Sequence, residues 1–467
     1  MESEFLKSKI NMSKRLVNDL LKKYDFVSIL GKQTTGKGIR LSNFNSSIND
    51  TGEKECGFVV KIFHQGIYSE FSFTDFDEKN YKEIINKIEN DLNVSDSMLA
   101  KHMDLSILDD EPLVKDFERR DNGKSYSNEE VMAELDKIVK KAMAYDPRMI
   151  QALGFYNNYV VNSFYISKNR QLTQSFSFTN IYFVSVAREG EIIKDNFTVA
   201  GDVSAEKCFE KIFAKIDEGC QLTLDFLKAT PIEPGVYDII TDPGVTGLIA
   251  HEAFGHGVEM DMFVKKRAKS RMYINKPVAS ELVSMHDGAA AALSNASYFF
   301  DDDGVIAQDT LIIDKGILKG GICDVISANE LKVKSTGNSR RESSQRKAYT
   351  RMTNTFFEKG YSKLEDMIKT VKHGYMLFGS NNGMEDPKNW NIQCTAQYGR
   401  EIVDGKFTDK IVSPVVMSGY VPDLLMSISM VSDGIEISGS GHCGKGHKEW
   451  VPVSDGGPCL KARCKLS

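Results

Sequence analysis

The chain has 467 residues, 41% of them apolar and 27% charged, with a formal net charge of −6. That length allows two or three domains whose cores need no disulfides, and the composition is that of a soluble globular protein. Lys and Arg are spread along the chain, which argues against a nucleic-acid partner, although a local basic patch is left around Arg340, Arg341 and Arg346. The N-terminal MESEFLKSKINMSKRL lacks the apolar core of a signal peptide, and no apolar run reaches the roughly 18 residues of a membrane span. The eight scattered cysteines read as reduced thiols, so the expected compartment is the cytoplasm.

Helical spacing first occurs at 14–24 (KRLVNDLLKKY). Gly31–Gly38 (GKQTTGKG) then follows an apolar FVSIL and nearly fits the phosphate loop G-x-x-x-x-G-K-[ST]. Gly38 stands where a hydroxyl would bind magnesium, and IRLSNFNSS does not continue as a helix, so a polar hairpin is preferred there. CGFVVKIF, HQG and IYSEFSF alternate and turn at Gly66, which predicts a hairpin. Polar helices are expected near 79–92 and 128–143. The aromatic-rich run from Phe155 to Ala187 predicts two or three strands, with a tight turn at Arg188-Glu189-Gly190, and helical spacing returns at 205–228.

Ala229–Gly235 (ATPIEPG) breaks the pattern, and the domain boundary is placed there. The expected fold class is α+β with two domains. Residues 1–230 form a mixed α/β N-terminal domain that contributes to the cleft and to dimer contacts. Residues 231–467 form a mainly β C-terminal domain carrying one metal-binding helix. That half opens with a short strand, VYDII, and has hairpin turns at Asp314-Lys315-Gly316 and Asp404-Gly405. Its glycine-rich tail is expected as loops and short strands.

The chemistry concentrates in DPGVTGLIAHEAFGHGVEMD, from Asp242 to Asp261. Asp242 is a good N-cap and Pro243 suits the first helical position. His251 and His256 are candidate ligands for zinc or a similar divalent ion, and Glu252 can accept a proton from metal-activated water. Five residues apart, the histidines stand about 140° from each other on a regular helix. They converge only through a π-type bulge, the preferred reading, or if the helix ends at a left-handed Gly255. The bland alternative is a pair of structural histidines at a helix end. Glu259 and Asp261 read either as groups that orient a histidine or as solvated acids. A third ligand is needed from elsewhere, and SGSGHCGKGHKEW offers His442, Cys443 and His447.

These residues resemble the TldD branch of the TldD/PmbA metallopeptidases. The resemblance continues through DDDGVIAQDTLIIDKGILKGGICD, STGNSRRESSQRKAYTRMTNTFF, GHCGKG and VPVSDGGPCLK, in matching order and spacing. It covers the whole chain and is strongest from about residue 231. It implies metal ligands at His251, His256 and Cys443, a catalytic glutamate at Glu252, and the active rather than the sister branch. It also implies a dimer, either of like chains or with a sister subunit, and extended, unfolded peptide substrates held in a cleft. His447-Lys448 departs from the glutamine many relatives carry after those glycines, which leaves the role of His447 open.

The expected function is therefore hydrolysis of unfolded peptides by a metal-activated water with Glu252 as base, using one divalent ion, zinc by its ligand types. Cys443 is the chosen third ligand, with Lys445 helping to hold its thiolate if it lies close. Arg351 and Asn354 are candidate substrate contacts, because their polar segment could line a peptide cleft. Two other classes stay open: a chaperone-like peptide-binding subunit with a structural metal, and a nucleotide-dependent enzyme using Gly31–Lys37.

Overall fold

A computed structural model describes residues 3–95, 104–105, 108, 110–121, 123–446 and 448–467. Helix α1 (Glu4–Leu20) opens the chain. It starts well before the expected residue 14 because the Ser3 hydroxyl caps the Leu6 N–H at 3.1 Å and Leu6 already belongs to the buried stripe with Leu16, Val17 and Leu20. Next come strands β1 (Phe26–Ser42), β2 (Ser46–His64) and β3 (Ile67–Phe73), helix α2 (Tyr81–Ser95) and strand β4 (Leu113–Arg119). Helix α3 (Asn128–Met143), strands β5 (Met149–Ile166), β6 (Arg170–Glu189) and β7 (Ile192–Asp202), and helix α4 (Ala205–Phe226) complete the first half. The β2–β3 turn sits at Gln65 and Gly66, both with positive φ, as a two-residue hairpin requires. The β6–β7 turn falls at Gly190 rather than one residue earlier.

These strands make one sheet in the order β3-β2-β1-β5-β6-β4, with β7 also paired to β6. All pairings are antiparallel except β4 with β6. Helices α1 and α2 bury their apolar faces against the Val27–Ile29 end of β1, and α3 and α4 against its Ile39 end.

Gly31–Gly38 is neither a phosphate loop nor a hairpin. It lies inside β1, paired to β2 on one side and β5 on the other. Two-sided pairing satisfies its backbone, and a Cβ on Gly36 would stand 2.2 Å from the Asn158 carbonyl oxygen. The glycines serve close strand packing. No helix N-terminus follows to hold a phosphate, which removes the structural basis for a nucleotide site at Gly31–Lys37.

From residue 235 on the strands join other sheets. Gly235–Thr241, His373–Asp386, Asn391–Val403, Val415–Tyr420 and Leu460–Leu466 each pair with two of the others, so their path closes into a small barrel. A six-stranded sheet beside it ends on Asn354–Phe357, Lys448–Gly457 and Glu436–Lys445, with the last at its edge. The glycine-rich tail holds the expected strands, Glu436–Lys445, Lys448–Gly457 and Leu460–Leu466, and they take up most of it in place of the expected loops. Its glycines allow neighbours to approach: a Cβ on Gly456 would stand 2.2 Å from the Glu436 carbonyl oxygen. The two expected hairpin turns hold, with Lys315, Gly316, Asp404 and Gly405 all at positive φ.

One apolar helix lies between the barrel and the six-stranded sheet. Its Val245, Ile249, Ala250, Ala253 and Phe254 share a core with Leu377 and Ala396 on one side and Val451 and Val453 on the other. Among the described residues no helix is long and apolar enough to cross a membrane, and all eight cysteines are free.

Candidate metal centre

The strand Gly235–Thr241 leads directly into this helix. Asp242 caps it: Oδ1 accepts from the Val245 N–H at 2.7 Å, and Oδ2 accepts from the Gly379 N–H at 3.0 Å. Pro243 takes the first turn, where its missing N–H costs nothing. An α-helical start, Pro243–Leu248, widens into a π-helical segment, Ile249–Gly255, and then tightens at His256–Val258. Within it the His256 N–H donates to the His251 carbonyl, a bond across five residues. That widened turn brings His251 and His256 to the same side. Gly255 keeps a right-handed φ of −60°, so the left-handed ending is not used. Its lack of a side chain serves packing instead, because a Cβ there would lie 2.2 Å from Met352 Sδ.

Cys443 comes from the edge strand Glu436–Lys445. Its Sγ stands 3.4 Å from His256 Nε2, and one donor atom from each of His251, His256 and Cys443 lies within 4.8 Å of the others. Zinc bonds of about 2.0 Å to nitrogen and 2.3 Å to sulfur at a tetrahedral angle put those atoms about 3.5 Å apart. His251 is 3% exposed, and its Nδ1 is buried with no partner in the chain. Two imidazoles and a thiol at this spacing, one with an unpartnered buried nitrogen, fit a divalent ion such as zinc.

The electrostatics of the three donors agree with that chemistry. Burial pushes the Cys443 thiol up, but the facing His256 and His251 overcome it and hold the group well below its usual range. Burial works against a charge on His251 as well, and the Cys443 thiolate outweighs it, raising the imidazole to about 9. Those protons leave when a metal binds.

Around the three donors the chain builds an orienting layer. Glu259 Oε2 lies 3.4 Å from His256 Nδ1, which leaves Nε2 facing Cys443. Burial alone would raise the Glu259 pKa, yet Lys445, His256 and Arg351 hold it far below the usual carboxylate range. Lys445 Nζ contacts Glu259 at 3.1 Å and Asp261 at 2.7 Å. The charge on the thiolate is supported by the histidines, and Lys445 anchors the two acids instead. His442 is exposed and outside the donor cluster, and His447 lies outside the described residues.

Glu252 borders a cleft of about 610 Å³, with a carboxylate oxygen 3.7 Å from His256 Nε2. Gly383 faces it so closely that a Cβ there would lie 2.5 Å from Glu252 Cγ. Two other acids reach the cleft that the spacing argument did not single out. Glu385 has both carboxyl oxygens buried and unpartnered, and burial pushes its pKa well above the usual range. Asp455 is raised by burial to about 6. Asp455 stood within VPVSDGGPCLK, so a signal for it was present, whereas nothing in the pattern around Glu385 marked it.

Arg351 and Asn354 are not cleft contacts. Both are fully buried. The Arg351 guanidinium is spent on Glu259, at 3.3 Å, and on the Glu449 carbonyl. The Asn354 amide donates to the Gly288 carbonyl at 2.9 Å and to Ser297 Oγ at 3.0 Å. Their polar segment folds inward onto these internal partners, with Arg351 Nη2 and Asn354 Oδ1 left buried and unpartnered.

The chain is similar to known proteins over most of its length. Residues 234–462 match the family model described as the PmbA/TldA metallopeptidase C-terminal domain. A metalloprotease of Methanocaldococcus jannaschii is 30% identical over 304 residues, 65% of this chain and 66% of that one. A TldD-homologous metalloprotease of Buchnera aphidicola is 33% identical over 52% of this chain and 50% of its own length. The matched stretches thus span half to about two thirds of those relatives. A zinc metalloprotease TldD homologue of Saccharolobus solfataricus is 26% identical over 87% of this chain and 88% of its own. In fold, the chain resembles TldE from Thermococcus kodakarensis, with a TM-score of 0.74 at 18% identity, covering 97% and 99% of the two chains. The chain belongs to the TldD/PmbA metallopeptidase family.

Proposed function

We propose that this chain is a metal-dependent peptidase acting on unfolded or extended peptides, with one divalent ion on His251, His256 and Cys443 and with Glu252 as the base. The observation that carries the proposal is the convergence of those three donors beside Glu252 at the floor of an open cleft. Nitrogen and sulfur donors favour zinc, in keeping with the name of the Saccharolobus relative. An ion held by these donors would supply Lewis acidity toward the peptide carbonyl and the attacking water. Glu252 accepts the proton of that water and returns it to the leaving amine. His256 is kept in its donor orientation by Glu259, which Arg351 and Lys445 hold ionised.

The edge strand Glu436–Lys445 supports an extended substrate, since it ends its sheet and its outer side beside Cys443 can pair with peptide backbone. The chain is also proposed to work as a dimer, of like chains or with a sister subunit. A peptide-binding subunit with a structural metal would share the donors but not turn over.

Casein, which lacks stable structure, and a compact globular domain separate these readings when each is incubated with metal-loaded protein, with and without a chelator. The expected result is cutting of casein alone, stopped by the chelator. Efficient cutting of the compact domain, or cutting that survives complete removal of metal, contradicts the proposal. Binding of casein without any cutting selects the non-catalytic reading.

A further inference from the structure

Next to the metal cleft lies a smaller chamber of about 270 Å³, between the first sheet and the C-terminal half. One wall is aromatic: Tyr159 and Phe178 stack at 4.9 Å, with Phe176 beside them. The opposite side carries Ser339 and Arg340, and the Ser339 hydroxyl is buried without a partner. His442 and Trp450 line both the chamber and the metal cleft. Trp450 is 49% exposed, so this shared wall is not core. His442 precedes Cys443 directly, so a chain laid along the edge strand reaches both spaces.

Arg340 is the unusual member. Its Nη1 donates to the Met352 carbonyl at 2.7 Å, and its guanidinium stands 5.5 Å from the Tyr298 ring centre. Among the described residues it has no carboxylate partner, whereas Lys32 lies 3.9 Å from Asp302 and Arg341 lies 3.3 Å from Glu70. The acids of the chamber are already engaged. Asp301 accepts from the Ser339 N–H, Asp302 from the Arg341 N–H, Glu55 from the Ser344 N–H and Glu342 from the Glu449 N–H. Burial pulls the Arg340 pKa down, as it does for a cation without a counter-charge. A guanidinium with unused donors in such a place is matched by an anion that can accept its fork.

We propose that Arg340 binds a carboxylate of the peptide substrate in this chamber, with the neighbouring apolar side chain against Tyr159, Phe176 and Phe178. This rests on the peptidase reading. An apolar side chain and a carboxylate on one residue is the chemistry of a C-terminal residue, and an Asp or Glu side chain offers the same carboxylate.

Calorimetry on the metal-loaded protein tests it without turnover. The probes are N-acetylphenylalanine against its C-terminal amide, and N-acetylglutamate α-amide against N-acetylglutamine amide. At least one acid should bind about tenfold or more tighter than its neutral match, the scale of a charge-assisted hydrogen bond. The first pair reports a terminal carboxylate and the second a side-chain carboxylate. Arg340→Gln should abolish the preference, and Arg340→Lys, which keeps the charge without the fork, should shrink it. The comparison is a ratio within each variant, so partial unfolding does not imitate the effect. Equal binding of acid and neutral match in the unaltered protein overturns the proposal, as does a preference that persists in Arg340→Gln or is undiminished in Arg340→Lys. Arg340-dependent binding with no peptide hydrolysis leaves this site standing and sinks the peptidase reading. Hydrolysis without carboxylate preference does the reverse.

Discussion

Glu252→Gln is expected to keep the fold and the metal while lowering peptide hydrolysis by about 100-fold or more, the range of a lost general base. The amide has nearly the shape of the carboxylate, so the close packing of Gly383 on Glu252 Cγ is retained. The three metal donors are untouched. What disappears is the ability to take a proton next to His256, where the carboxylate now stands at 3.7 Å. Glu385 is a poor substitute, because burial pushes its pKa well above the usual carboxylate range and so disfavours the charged form a base needs. Rate assays on the purified variant, with its metal content measured alongside, check the assignment. Near-normal turnover in metal-loaded Glu252→Gln would assign the base elsewhere.

Cys443→Ala should cost both metal and activity. Losing even an outer partner of a metal ligand typically weakens binding by about 10- to 100-fold, and removal of a ligand from a three-donor set costs at least as much. The thiol is 7% exposed and stands 3.4 Å from His256, inside the donor cluster. His442→Ala is the control. That side chain lies outside the donor cluster, and its loss should leave the metal in place. Elemental analysis of both purified variants decides the matter. Full occupancy in Cys443→Ala, or loss in His442→Ala alone, would mean that the third donor is misassigned.

Local features of this chain were legible where their cause was local. Ser127 and Glu130 form a reciprocal cap on α3, and the expected helix at 128–143 follows. Gln65-Gly66 and Lys315-Gly316 turn where their conformational freedom is needed. The π-helical route for His251 and His256 was legible because a five-residue spacing on one helix has few geometric solutions. What failed depended on distant partners. Gly31–Gly38 read as a polar hairpin from its own composition, yet β2 and β5 clamp it into one continuous strand. The tail from Glu436 on read as loops and short strands, and its full pairings depend on close neighbours that glycines such as Gly456 make room for. Arg351 and Asn354 look like solvent-facing polar residues until Glu259, Gly288 and Ser297, all more than fifty positions away, are seen to bond to them inside the fold. Glu385 joins the cleft only through the barrel strand His373–Asp386, and no spacing within its own segment encodes that.

The central claim is that one ion on His251, His256 and Cys443 drives hydrolysis. Stepwise zinc titration of chelator-stripped protein, with bound metal and peptide cleavage followed together, tests it most directly. The predicted result is no cleavage at the start, recovery in proportion to bound zinc, a plateau at one ion per chain, and no recovery in Cys443→Ala at the same zinc concentrations. Full cleavage by the stripped protein, or equal recovery in Cys443→Ala, would contradict the account.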